Sequence, residues 1–166
     1  MSTMKAAIYT GLQEIGIQEV EQIPPAPGYV TLDTKRTGIC GSDLHSYFGH
    51  WNQSQTLAAG HETCGIVVEL GEGVTEFQPG DKVTVECFSH CGRCVYCRKG
   101  HYNHCLERKW VSDNTHGGFA EYTVAHASGL FKLPDSMSFE EGALVEPLAV
   151  SYRAVAQSVA TYRDRV

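Results

Sequence analysis

The chain has 166 residues, 42% of them apolar, which suffices for one ordinary core, because a domain of this size hides about 70% of the surface its unfolded chain would expose. Thirteen basic side chains against nineteen acidic ones leave a formal charge of -6, too little cation to neutralise phosphate, so nucleic acid and anionic membrane are not expected as partners. No apolar run approaches the ~20 residues of a membrane span and the first nine residues carry no cleavable leader pattern, which predicts a cytoplasmic protein.

In chain order, short β-rich runs come first. Residues 5–9, 15–20, 29–37, 65–70, 82–86, 118–124 and 130–133 read as strands. Turn residues divide them: Pro24-Pro25-Ala26-Pro27-Gly28, Gly71-Glu72-Gly73 and Pro79-Gly80-Asp81. The predicted class is mainly β (α+β), a partly closed barrel with a metal-binding lobe and a helix at its C-terminal end. Ser138 followed by Glu140 and Glu141 is a helix start, with a hydroxyl as cap and carboxylates where the helix dipole favours negative charge. Pro147 can open a further helix through Tyr152 and Val155.

The stretch from His90 to Trp110 is of another kind. Cys, His, Arg, Lys and Gly dominate it, and it has no apolar periodicity with which to fold by burial. Within it Cys91, Cys94, Cys97 and Cys105 have the spacing C-x2-C-x2-C-x7-C, which lets four thiolates meet one tetrahedral ion at about 2.3 Å. A structural zinc fits best, because the binding free energy of such a site is folding free energy and four thiolates leave no place for substrate. Free thiols and an iron-sulfur cluster are the alternatives. The cluster motif that shares C-x2-C-x2-C continues with x3 and Cys-Pro, whereas here the gap is seven and Leu106 follows. Cys87, His101 and His104 lie close enough in sequence to compete as ligands. Seven cysteines without a leader pattern point to a reducing compartment.

Three further strings are each weak alone: Gly38-Ile39-Cys40-Gly41-Ser42-Asp43-Leu44-His45, then Gly60-His61-Glu62, then Val145-Glu146-Pro147-Leu148. A lone Cys is commonly a small buried hydrophobe, and Gly65 stands where a metalloprotease helix would need its second histidine. Together with the four cysteines, in this order, they resemble the zinc-containing medium-chain alcohol and polyol dehydrogenases, in particular the sorbitol, xylitol and threonine dehydrogenase branch. Pro79-Gly80-Asp81-Lys82-Val83 and His116-Gly117-Gly118-Phe119-Ala120-Glu121-Tyr122 match that family as well.

The resemblance implies a GroES-like catalytic domain over residues 1–150 with its structural zinc lobe at 87–110, and residues 151–166 as the start of a connection to a Rossmann domain. It implies one catalytic zinc on Cys40 and His61, with Glu62 and Glu146 as carboxylates that bind the metal directly or through its water. Ser42 then corresponds to the hydroxyl that takes the substrate's proton, His45 to the histidine that passes it to solvent, and Asp43 to the carboxylate that holds His61. The implied reaction is oxidation of a secondary alcohol or polyol with hydride transfer to NAD(P).

No Gly-x-Gly-x-x-Gly string occurs, since Gly71-Glu72-Gly73 is followed by Glu76 where the third glycine belongs. The expectation is therefore a catalytic segment whose cofactor domain is absent. Open strand edges would then favour a homo-oligomer. A zinc-binding interaction module without hydride transfer is the alternative function.

Overall fold

The computed structural model describes residues 2–52 and 54–158. Of the expected connection to a Rossmann domain at 151–166, residues 159–166 lie outside the described residues. Nine strands and three α-helices make up the described chain: β1 (Thr3–Gly11), β2 (Glu14–Glu21), β3 (Tyr29–Thr37), α1 (Gly41–Tyr47), β4 (Thr63–Leu70), β5 (Lys82–Val85), β6 (Phe88–Ser89), β7 (Lys109–Trp110), β8 (Tyr122–His126), β9 (Leu130–Lys132), α2 (Phe139–Ala143) and α3 (Val145–Gln157).

Five strands form one antiparallel sheet in the order β8-β3-β4-β5-β9, and β1 pairs with β2 as a separate hairpin. The sheet does not close into a barrel among the described residues; an isolated bridge between Ala6 and Ala120 ties the hairpin to the segment that leads into β8. Two cores follow from the period-two alternation of the strands. Val30 and Leu32 of β3 meet Val67, Val83, Val85, Ala125 and Leu130 in the larger one, and Met4, Ala6 and Ile8 of β1 meet Ala58 and Ala120 in the smaller. Each fully buried Val, Leu or Ile contributes about 1.5–3 kcal/mol.

The expected strand over 118–124 begins later, at Tyr122. The reason is hydrogen bonding: Gly117, Gly118 and Phe119 donate to the carbonyls of Ala58, Gly60 and Ala59, while the Phe119 carbonyl accepts from Ala7, so this stretch laces the 58–60 loop to β1 before it can join the sheet. Ser138 does cap α2, its hydroxyl accepting from Glu141 N–H while Glu141 reaches back to Ser138 N–H. α3 starts two residues before Pro147, which therefore sits where a helix has no use for its N–H. No helix among the described residues is long and apolar enough to cross a membrane.

Candidate metal centre

β3 and β4 run side by side toward the first candidate site. Their pairing slips between Thr34 and Arg36, a bulge that adds twist where Thr37 opposes Thr63. Past that end, Gly38 N–H donates to the Glu62 carbonyl at 2.8 Å, so the segment holding Cys40 and the segment holding His61 and Glu62 are tied to each other. A Cβ on Gly38 would collide with the Glu62 carboxylate and force it to shift, so glycine here leaves Glu62 its present position. Gly60 has φ +91°, which favours glycine, and it turns the chain so that His61 and Glu62 face inward.

The outcome is a trio. One ligand atom each from Cys40, His61 and Glu62 lie within 4.8 Å of one another, with both His61 and Glu62 buried. Asp43, in the first turn of α1, is buried beside them: its Oδ2 accepts from Cys40 N–H at 2.8 Å and its Oδ1 stands 4.0 Å from His61 Nδ1. That distance is ion-pair range and too long for a hydrogen bond. Burial raises the Asp43 carboxyl above its ordinary range and Glu62 adds to this, against the opposing pull of Cys40 N–H and His61. A buried carboxylate, a thiol and an imidazole around one point, with a second buried carboxylate beside them, suit a divalent cation, which would offset the desolvation cost of the charges. Ser42 Oγ lies 3.5 Å from His61 Nε2, on the side of the ring away from Asp43.

The structure does not bring the other expected carboxylate into the trio. Glu146, half-buried in the first turn of α3, lies close enough to the Cys87 thiol to raise it and is not part of the trio. Burial first, and Glu146 second, push that thiol up to about 12. His45 is exposed, its Nδ1 3.2 Å from His50 Nδ1, with its ring stacked 5.0 Å from Trp51.

A cleft of about 410 Å³ opens beside the trio, lined by Ser42, Asp43 and His61 at one end and by Trp51, Trp110 and Asp113 among its walls. Sequence reasoning missed both tryptophans. Trp110 packs 4.7 Å from the His61 ring and 4.8 Å from Phe88, so the base of the lobe touches the trio. Its position at the end of the cysteine-rich stretch was the available signal, but no spacing rule connects it to a residue 49 positions away.

In the lobe, Cys91, Cys94, Cys97 and Cys105 converge, each sulfur within 4.8 Å of the others. All seven cysteines are free thiols. Backbone N–H groups point at the sulfurs: Cys91 to Cys105 at 3.3 Å, Cys94 to Cys91 at 3.4 Å, and Glu107 to Cys105 at 3.3 Å. The N–H groups of Cys97 and Leu106 pull the Cys94 thiol down to about 6, while burial and the neighbouring sulfurs push Cys97 up to about 12. For Cys105 burial opposes ionisation, but donation from Cys91 and Glu107 prevails and its thiol is lowered. Thiols that crowd together yet are offered donors suited to thiolates fit a cation at their centre. Cys87, His101 and His104 stand outside this group of four. Antiparallel β6 and β7 close the base of the lobe.

Residues 26–135 match the model of the alcohol dehydrogenase GroES-like domain. The chain is similar to the sorbitol dehydrogenase of Halalkalibacterium halodurans, with 40% identity over 166 residues, 98% of this chain and 48% of that protein. Among solved structures it is similar to 2R,3R-butanediol dehydrogenase from Bacillus subtilis, with TM-score 0.82 and 38% identity over 98% of this chain and 49% of that one. It is also similar to galactitol-1-phosphate dehydrogenase from Escherichia coli, with TM-score 0.81 and 31% identity over 93% of this chain and 46% of that one. The chain spans about half the length of the curated relatives it matches.

Proposed function

The chain belongs to the alcohol dehydrogenase GroES-like domain family, and we propose that it is the zinc-bearing catalytic part of a dehydrogenase that oxidises a secondary alcohol or polyol by hydride transfer to NAD(P). The observation that supports this reading most is the convergence of Cys40, His61 and Glu62, with His61 and Ser42 of the same region lining an open cleft. Three protein ligands leave a coordination position for substrate, as a catalytic zinc needs, and the four-cysteine group leaves none. Zinc on the trio supplies a Lewis acid that lowers the pKa of an alcohol oxygen.

The remaining work falls to side chains. Ser42 can accept the proton of a substrate hydroxyl and donate its own onward, because a hydroxyl does both at once. His45 lies on the following turn of α1 and is exposed, so it can release that proton to water. Asp43 fixes Cys40 through its N–H and sets the His61 ring so that Nε2 faces the cleft. Glu146 is left the outer role, a carboxylate acting through water. The nicotinamide is assigned to a separate nucleotide-binding domain of the parent protein, and free thiols throughout suit a reducing cytoplasm. A zinc module without chemistry has no use for an open trio beside a cleft.

Metal analysis tests the reading: two zinc ions per chain are expected, and one in the Cys40→Ser variant. Iron with acid-labile sulfide would overturn the four-cysteine assignment, and full zinc content in Cys40→Ser would overturn the trio. In a protein that joins this segment to its nucleotide-binding domain, Ser42→Ala should lower kcat by at least about a hundredfold, in keeping with the usual contribution of a positioned proton acceptor.

A further inference from the structure

We propose that the cleft beside the trio is built for an uncharged polyhydroxylated chain and against phosphorylated or carboxylated ones, with Asp113 as the residue that sets this choice. The proposal rests on the alcohol-oxidising reading above, and deepens it. The lining includes the hydroxyl- and amide-bearing residues Ser46, Asn52, Ser54 and Ser112, together with Trp51 and Trp110. Among the described residues of the lining there is no Lys or Arg, and the acidic side chains are Asp43 and Asp113.

Asp113 is fixed where it can act. Its Oδ2 accepts from Trp110 N–H at 2.9 Å, and the Trp110 ring packs 4.7 Å from His61, so this carboxylate is held by the same residue that braces the trio. The second lone-pair set of its carboxylate remains to accept substrate hydroxyls, and acceptance by a charged group is the stronger kind of hydrogen bond. Away from the metal position, a phosphate or carboxylate on the substrate would meet the carboxylates of Asp43 and Asp113 and no Lys or Arg side chain of the described lining. Repulsion against the wrong ligand and hydrogen bonds to the right one act in the same direction here.

The chain has two tryptophans and both line the cleft, so their two indole N–H resonances report binding directly. The experiment titrates the zinc-loaded chain with sorbitol, galactitol 1-phosphate and gluconate while following those signals. Sorbitol is expected to bind at least about tenfold more tightly than either anion. Asp113→Asn, which keeps an acceptor for Trp110 N–H, should weaken sorbitol about tenfold, and Asp113→Lys should bring galactitol 1-phosphate within about threefold of sorbitol. Equal binding of sorbitol and the anions, or no effect of Asp113→Asn, would overturn the proposal. The Cys40→Ser variant separates it from the reading beneath. If sorbitol binds that variant unchanged yet still depends on Asp113, the preference stands and the dehydrogenase reading fails. If sorbitol needs Cys40 but is not distinguished from galactitol 1-phosphate, the reading stands and the preference fails. No shift with any ligand would remove both.

Discussion

Replacing Cys97 by Ser removes a buried thiol from the four-cysteine group, and its consequences can be worked out from the packing. Neither hydrophobic core includes a residue between 87 and 110, so the lobe has no apolar cluster to fall back on. In peptides built on such a site the bound ion contributes about 10–16 kcal/mol of folding free energy, so losing one ligand should be enough to release the metal and the order of residues 91–105. The five-stranded sheet should remain, since its core lies elsewhere. The disturbance should also reach the trio through Trp110, whose contact with His61 is an aromatic pair worth about 0.5–1.5 kcal/mol, or about two- to tenfold in metal affinity. Hydrogen exchange by mass spectrometry checks the first claim and a chelator competition on the remaining zinc checks the second. Amides 91–105 as protected as in the parent chain would refute the account, and so would loss of protection in β3 and β4 alongside them.

Leu32→Ala opens the larger core at a fully buried position and should lower stability by about 2–5 kcal/mol in urea titrations while leaving zinc content unchanged. Gly38→Ala should do the reverse, displacing the Glu62 carboxylate and dropping bound zinc toward one ion per chain with a smaller loss of stability. His116 gives a pH dependence. Burial holds its imidazole below the ordinary range, and its Nδ1 accepts the Ala58 N–H at 3.2 Å, so the folded chain takes up this proton only at lower pH than the unfolded chain, which does so near pH ~6.5. The stability tied to neutral His116 is present above about pH 6.5 and is lost as pH falls below it, and His116→Asn should flatten the fall of the urea midpoint between pH ~6.5 and ~5.5 relative to the parent chain. An unchanged slope would mean that the imidazole is solvated.

The strands were legible because each pairs alternation with a turn that glycine or proline marks, as at Pro79-Gly80 before β5. The four cysteines were legible because close, regular spacing in the chain is itself what lets four thiols meet at one point. α1 was not, since seven residues beginning with glycine carry too little periodicity, and its order comes from Cys40 and Asp43 at its first turn. β6 and β7 escaped notice for a related reason: two residues each cannot alternate, and their pairing follows from the lobe folding between them. Within the site, motif order pointed to Cys40, His61 and Glu62, but the separation of Glu146 from them depends on where α3 leaves α2, and on a thiol, Cys87, that no motif includes. The role of Trp110 is likewise a matter of tertiary contact alone.

α3 has thirteen residues and none of them is buried; it meets α2 and β5, Val145, Glu146 and Pro147 are partly covered, and Leu148, Tyr152 and Val155 face water. A peptide helix of that length is marginal on its own, so its far end is governed by a helix–coil equilibrium in place of the cooperative unfolding of the sheet. Exchange rates along it should therefore form a gradient, slowest beside Glu146 and fastest toward Val155, and warming should shorten the helix residue by residue well below the temperature at which the strands separate.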